Sequence, residues 1–256
     1  MAGILLIHGA WHGAWCWKDF AARLTERGHD VRVMQLRGHD QRSGRIWHRV
    51  VDYVEDVRIA AAQFSAPPVL VGHSLGGVLA QKYLETHRAA AAVLLATIPA
   101  GGALTGMQRF VRRHPIVLLS SMLSLSMRSF IRSTPLVREF FFSPDTPEHI
   151  VADCMARLQD ESFPALLDLL RLEWRPPLQP LPVLVLAAEA DGFLAAADAQ
   201  HIARTYGTSA EYFQGMGHDL MLDQGWENVA DRIDRWLHEV PHQPPSSLAE
   251  PPALPR

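Results

Sequence analysis

A serine flanked by glycines, Gly72-His73-Ser74-Leu75-Gly76, is the first place in this chain where residue types and spacing suggest chemistry. A serine hydroxyl is a poor nucleophile at neutral pH. It needs a base to take its proton and an acid to hold that base. The chain supplies both further on. Asp191 follows the apolar run VLVLAA, and His218 sits in the glycine-rich stretch QGMGHDL. The order is Ser74, Asp191, His218. Asp191 is favoured as the acid over Glu189, which lies too near its apolar run to reach outward, and over Asp198, which falls inside the next helical pattern.

A bare Gly-x-Ser-x-Gly is a weak signal, and its setting strengthens it. Here it follows the apolar run VLV and opens the stretch GGVLAQKYL, so it occupies a turn from strand to helix. Such a turn lifts the serine above a sheet in a strained backbone, and the glycines let strand and helix approach closely around it.

The elements that must position these residues are legible from periodicity. GILLIH, VRVM (31–34), PVLV, AAVLLA (91–96), PVLVLAA (182–188) and AEYF (210–213) read as buried strands. Between them come helical patterns. Trp17, Phe20 and Leu24 form one, with Gly28 as its C-cap. Val50, Val54, Val57, Ala61 and Phe64 form another. A third lies near 197–206, and a last carries Val229, Ile233, Trp236 and Leu237. Alternating strands and helices predict an α/β fold: a mostly parallel sheet of about six strands flanked by helices, with right-handed crossovers.

The alternation stops between Ala96 and Pro182, where Met, Phe, Leu and Ser dominate and Phe140 to Phe142 stand in a row. The expected division is a core over 1–96 and 182–240, a helical cap inserted at 97–181, and a Pro-rich tail, 241–256, expected to be disordered.

Composition bounds the function. Apolar residues at 48% and charged residues at 20% suit a globular protein, and a net charge of −3 offers no basic footprint for nucleic acid. Cys16 and Cys154 make no disulfide framework, which favours a reducing compartment; Cys16 reads as a small buried hydrophobe. No basic stretch precedes the first apolar run, and IVLLSSMLSLSM is too short and serine-rich to span a bilayer. A cytoplasmic protein with no membrane partner is expected. His8 and His12 are four apart, but a strand end followed by Gly9 is not a helix and no third ligand is evident, so no metal is expected. No cofactor is expected either, since no strand-to-helix GxGxxG and no GxxxxGK[ST] occur.

With Ser, Asp and His in that order around a nucleophile turn, the chain resembles an α/β-hydrolase over nearly its whole length, its first strand matching the family's third. Its opening HGAWHGAWCW is similar to the plant methyl-esterase and hydroxynitrile-lyase branch. There the first strand is also followed by His-Gly, two variable residues, then His-Gly-Ala-Trp. The resemblance implies that the backbone N–H groups of Ala10 and Leu75 form an oxyanion hole and that His218 activates Ser74 to attack an ester carbonyl. Hydroxynitrile lyases of that branch carry Thr where this chain has Gly9, and Lys where it has Asp219, so cyanohydrin cleavage is not expected. Ser rather than Asp at the elbow disfavours epoxide hydrolase and dehalogenase chemistry. Residues 97–181, with IPAGG after the strand, read more like bacterial hydrolase caps.

The expected function is therefore a serine carboxylic-ester hydrolase acting on a small to medium, partly apolar ester, as a monomer or homodimer. A thioesterase, a carbon–carbon hydrolase or a non-catalytic receptor on the same scaffold are the alternatives. Trp11, His73, Met122 and Phe142 are the candidate pocket residues, with Met107, Met127, Phe140 and Phe141 as further candidates. Packing is the competing role for these side chains, and for His73 and Trp15.

Overall fold

The computed structural model describes residues 1–40, 46–99, 112–173 and 175–240. Met107 and the tail after Val240 lie outside them. Six strands form one sheet: β1 (Gly3–Ile7), β2 (Asp30–Val33), β3 (Val69–His73), β4 (Ala91–Leu95), β5 (Val183–Ala188) and β6 (Ala210–Phe213). Their spatial order is β2-β1-β3-β4-β5-β6, and every neighbouring pair is parallel.

The strand sequences explain the architecture. Strands β3, β4 and β5 are buried at every residue, which requires cover on both faces. Alternate side chains feed two cores. Leu5 and Ile7 face one side with Leu70, Ala92 and Val185; Ile4 and Leu6 face the other with Val71, Val93 and Leu186. The first core is closed by α2 (Val50–Ala61), α3 (Leu75–Leu84) and α8 (Ala196–Thr205). The second is closed by α1 (Lys18–Glu26) and α9 (Trp226–Glu239).

The end of α1 shows how local sequence sets a boundary. Gly28 takes φ +90°, its N–H donates to the Thr25 carbonyl and the His29 N–H to that of Leu24. This is the Schellman arrangement, in which a glycine beyond the last turn satisfies the open carbonyls.

Between β4 and β5 lie α4 (Pro115–Ser124), α5 (Thr134–Phe141), α6 (Glu148–Arg157) and α7 (Phe163–Leu169), with a 3-10 turn at Arg128–Ile131. A third apolar cluster, including Trp11, Val117, Phe130, Phe140 and Phe141, joins this segment to the loop after β1. Among the described residues no helix is long and apolar enough to cross a membrane.

Candidate active site

The strand order reverses at β1, which has β2 on one side and β3 on the other. In open parallel sheets this is where a crevice opens beyond the carboxyl ends of the strands. Ala10 follows β1, Ser74 follows β3, Asp191 follows β5 and His218 follows β6, so all four leave the sheet at that end.

Ser74 has φ +51° and ψ −115°, a conformation a side chain rarely adopts. The surroundings over-determine it. Its N–H donates to the Leu95 carbonyl at 2.9 Å, and its own carbonyl accepts from Thr97 Oγ1 at 2.8 Å. The flanking glycines are sterically required: a Cβ on Gly72 would lie 2.4 Å from the Gly76 oxygen, and one on Gly76 2.2 Å from the Ile7 oxygen. Among the described residues the Ser74 hydroxyl makes no hydrogen bond.

Asp191 Oδ2 lies 2.9 Å from His218 Nδ1, while Oδ1 accepts the N–H groups of Phe193 and Leu194, each at 2.8 Å. The carboxylate is thus fixed by backbone and faces the imidazole. Burial lowers the His218 pKa, but the charge and hydrogen bond of Asp191 outweigh it, and His218 ends above the ordinary imidazole value. The other two acids are engaged elsewhere. Glu189 accepts from the Gly215 N–H, and Asp198 caps α8 by accepting from the Ala195 N–H.

The opening stretch is organised by its two histidines. His8 Nε2 accepts the Leu36 N–H at 3.1 Å, so its proton sits on Nδ1 and is donated to the Gly9 carbonyl at 2.9 Å. Burial, then the nearby His39, holds the His8 pKa well below its ordinary value, consistent with that neutral ring. His12 Nδ1–H donates to the Ala10 carbonyl at 2.8 Å, and Nε2 meets Asp219 Oδ2 at 2.9 Å with both side chains fully buried. Each peptide flanking the Ala10 α-carbon is therefore held by an imidazole. Among the described residues neither the Ala10 nor the Leu75 N–H has a hydrogen-bond partner.

The proposed pocket residues part company. Trp11 is buried at φ +62°. Its backbone N–H donates to Glu161 Oε2 at 3.2 Å and its indole N–H to the Met127 carbonyl at 3.2 Å. His73 Nε2–H donates to the His218 carbonyl at 3.0 Å; burial and the neighbouring His218 push its pKa down to about 3, so it is neutral. Its ring packs under Gly9, where a Cβ would come within 2.8 Å of Nδ1. Phe142 is buried and its backbone packs on Gly217, one residue before His218. Met122 is a correction. It is 56% exposed, because α4 turns Val117 and Ser121 inward and so carries the following residue round to the outer face.

Several residues of the site were not singled out from the sequence. The Phe193 ring lies 5.0 Å from that of His218, on which Phe141, a candidate from the sequence, also closes at 6.3 Å. Glu161, buried in the segment between β4 and β5, accepts from Trp11 N–H, His39 Nε2, Tyr53 Oη and Ser162 N–H. Asp223, fully buried, accepts from the N–H groups of Gly217 at 2.6 Å and Ser143 at 2.9 Å. None lies in a motif; each is defined by partners far away in the chain. For a metal, His12, Cys154 and Asp219 place ligand atoms within 4.8 Å of one another. The same His12 and Asp219 atoms are joined in the pair above, and burial, with the Asp219 charge, raises the Cys154 thiol well above its ordinary value.

Comparison with known proteins agrees with this fold. The profile of the alpha/beta hydrolase family matches residues 4–232. A carbendazim-hydrolysing esterase from Nocardioides sp. (strain SG-4G) is 39% identical over 82 residues, 31% of this chain and 34% of that protein. The probable esterase PIR7A of Oryza sativa subsp. indica is 34% identical over 119 residues, 43% of this chain and 45% of its own length. The chain thus matches less than half the length of these curated relatives. Among solved structures, an extracellular alpha/beta-hydrolase from a Paenibacillus species superposes with TM-score 0.72 at 17% identity, over 92% of this chain and 98% of the other. The methylesterase MES16 from Arabidopsis gives 0.69 at 15% identity, over 94% and 100%. At such identities the likeness is one of fold.

Proposed function

The chain belongs to the alpha/beta hydrolase family, and from that premise we propose that it hydrolyses a carboxylic ester through a covalent acyl-serine. The observation that carries the proposal is the 2.9 Å contact between Asp191 and His218 on the same sheet edge as the strained Ser74. Asp191 holds the His218 proton on Nδ1, which leaves Nε2 free to accept the Ser74 proton. The serine oxygen attacks the ester carbonyl, and the N–H groups of Ala10 and Leu75 stabilise the oxyanion that forms. His218 then protonates the leaving alcohol, and water attacks the acyl-serine by the same route in reverse. The serine–imidazole hydrogen bond belongs to the substrate-bound state, in which such contacts tighten.

The segment between β4 and β5 acts in this reading as a cap. Its Phe141, with Phe193 of the loop after β5, offers an aromatic wall beside His218 for the apolar part of a small to medium ester. That relatives matching part of the chain are named esterases supports the ester class.

A fluorophosphonate probe tests the reading. Adduct at Ser74, lost in Ser74→Ala and accompanied by turnover of p-nitrophenyl esters, is the expected result. Folded protein that does not label at Ser74 would overturn it.

A further inference from the structure

Charge is unevenly distributed along this chain. From Thr97 to Arg138 the sequence contains six arginines and no Asp or Glu, in a protein whose net charge is −3. The most apolar helix, α4, lies inside that stretch. Its inner side, Val117, packs with Trp11, Phe140 and Phe141 in the cluster that reaches His218 through Phe141. Its outer side is also apolar. Ile116 is 72% exposed, Leu119 57%, Met122 56% and Leu123 79%. Isolated exposed apolar residues are ordinary, but four large ones on one ten-residue helix form a patch that marks an interaction surface.

Arg112 precedes α4, and the turn packed against the helix carries Arg128 with Arg132 just after it; all three are exposed. Among the described residues none of the three forms an ion pair. An apolar helix face edged by arginines matches a surface whose interior is apolar and whose boundary is negative. A two-fold dimer through the same face would bring arginine against arginine, which disfavours a second copy as the occupant.

We propose that α4 docks this protein on anionic lipid surfaces, with Ile116, Leu119, Met122 and Leu123 entering the headgroup boundary and Arg112, Arg128 and Arg132 meeting lipid phosphates. The expectation of no membrane partner rested on the lack of a spanning segment, and an interfacial helix needs none. Docking in this orientation sets the aromatic cluster beside His218 close to the bilayer.

Co-sedimentation with vesicles tests the proposal. Binding to phosphatidylcholine vesicles containing phosphatidylglycerol, absent with phosphatidylcholine alone and weakened by salt, is the expected result. Leu119→Ser with Leu123→Ser should abolish it. Each of Arg128→Gln and Arg132→Gln should weaken it by roughly fivefold. All four positions are exposed, so circular dichroism and turnover of a soluble ester without vesicles should stay unchanged. Failure to bind the anionic vesicles, or binding indifferent to these substitutions, would overturn the proposal. So would light scattering that showed a dimer converted to monomer by the leucine changes. The binding readout needs no turnover, so this inference and the ester-hydrolase reading fail independently.

Discussion

At the scale of the residue, the site is a set of imidazoles whose protons are assigned by their partners. His218 faces Asp191 at Nδ1, His8 is kept neutral by burial with its Nε2 accepting the Leu36 N–H, and His12 is shared between a carbonyl and a buried carboxylate. Asp191→Asn should lower turnover by about four orders of magnitude, because an amide no longer enforces the tautomer that leaves Nε2 as the acceptor. Single-turnover acylation would measure this, and an equal loss from Glu189→Gln instead would transfer the acid role. The pH profile follows from the same contact. Protonated His218 cannot accept the Ser74 proton, and its pKa lies above the ordinary 6.5. Thus kcat/KM should rise with pH through a midpoint above that value. His12 and Asp219 form a second pair, between the loop after β1 and the residue after His218. His12→Leu leaves the buried Asp219 carboxylate unpaired, at a cost of about 3–5 kcal/mol. Asp219→Asn keeps an acceptor for His12 and should cost less. Denaturant titration of both variants checks the ranking, and equal losses would show that leaving the Asp219 charge unpaired costs no more than removing it.

At the scale of the element, glycine decides where the backbone can go, for two different reasons. Gly76 is required by contact, since a Cβ there meets the Ile7 carbonyl oxygen at 2.2 Å. Gly28 is required by conformation alone, with open space around it at φ +90°. Gly76→Ala should therefore prevent β3 and α3 from closing on β1 and lose soluble protein. Gly28→Ala should fold and cost about 1–2 kcal/mol. Thermal melts of the two variants separate the cases. Both positions were readable in the sequence, one from its motif and one from its place after a helical pattern. Strand bounds were readable to within one or two residues, because the central strands are apolar runs; the predicted 31–34 is observed as Asp30–Val33, and β3 runs on past the predicted PVLV to His73.

At the scale of the whole molecule, Glu161 joins the segment between β4 and β5 to the core. Its carboxylate takes donors from the loop after β1, from the loop after β2 through His39, and from α2 through Tyr53. Burial raises the Glu161 pKa, but the charge and hydrogen bond of His39 outweigh it and hold the group below its ordinary 4.5. Its contribution to stability is therefore complete above that value and lost as pH falls through the depressed one. Glu161→Gln should lower stability by about 3–5 kcal/mol at neutral pH. The gap from the unsubstituted protein should close in acid, and a gap independent of pH would refute the ionic role. The sequence by itself determined the parallel sheet, its order of elements and the chain positions of Ser74, Asp191 and His218. Those features rest on local periodicity, on turn chemistry and on the fixed hand of crossovers. Only the tertiary structure decided that Met122 faces outward, that Phe193 stands beside His218, and that His12 finds Asp219 and Trp11 finds Glu161. A buried polar group is satisfied by whichever partner the fold brings near, and here those partners lie more than a hundred residues away.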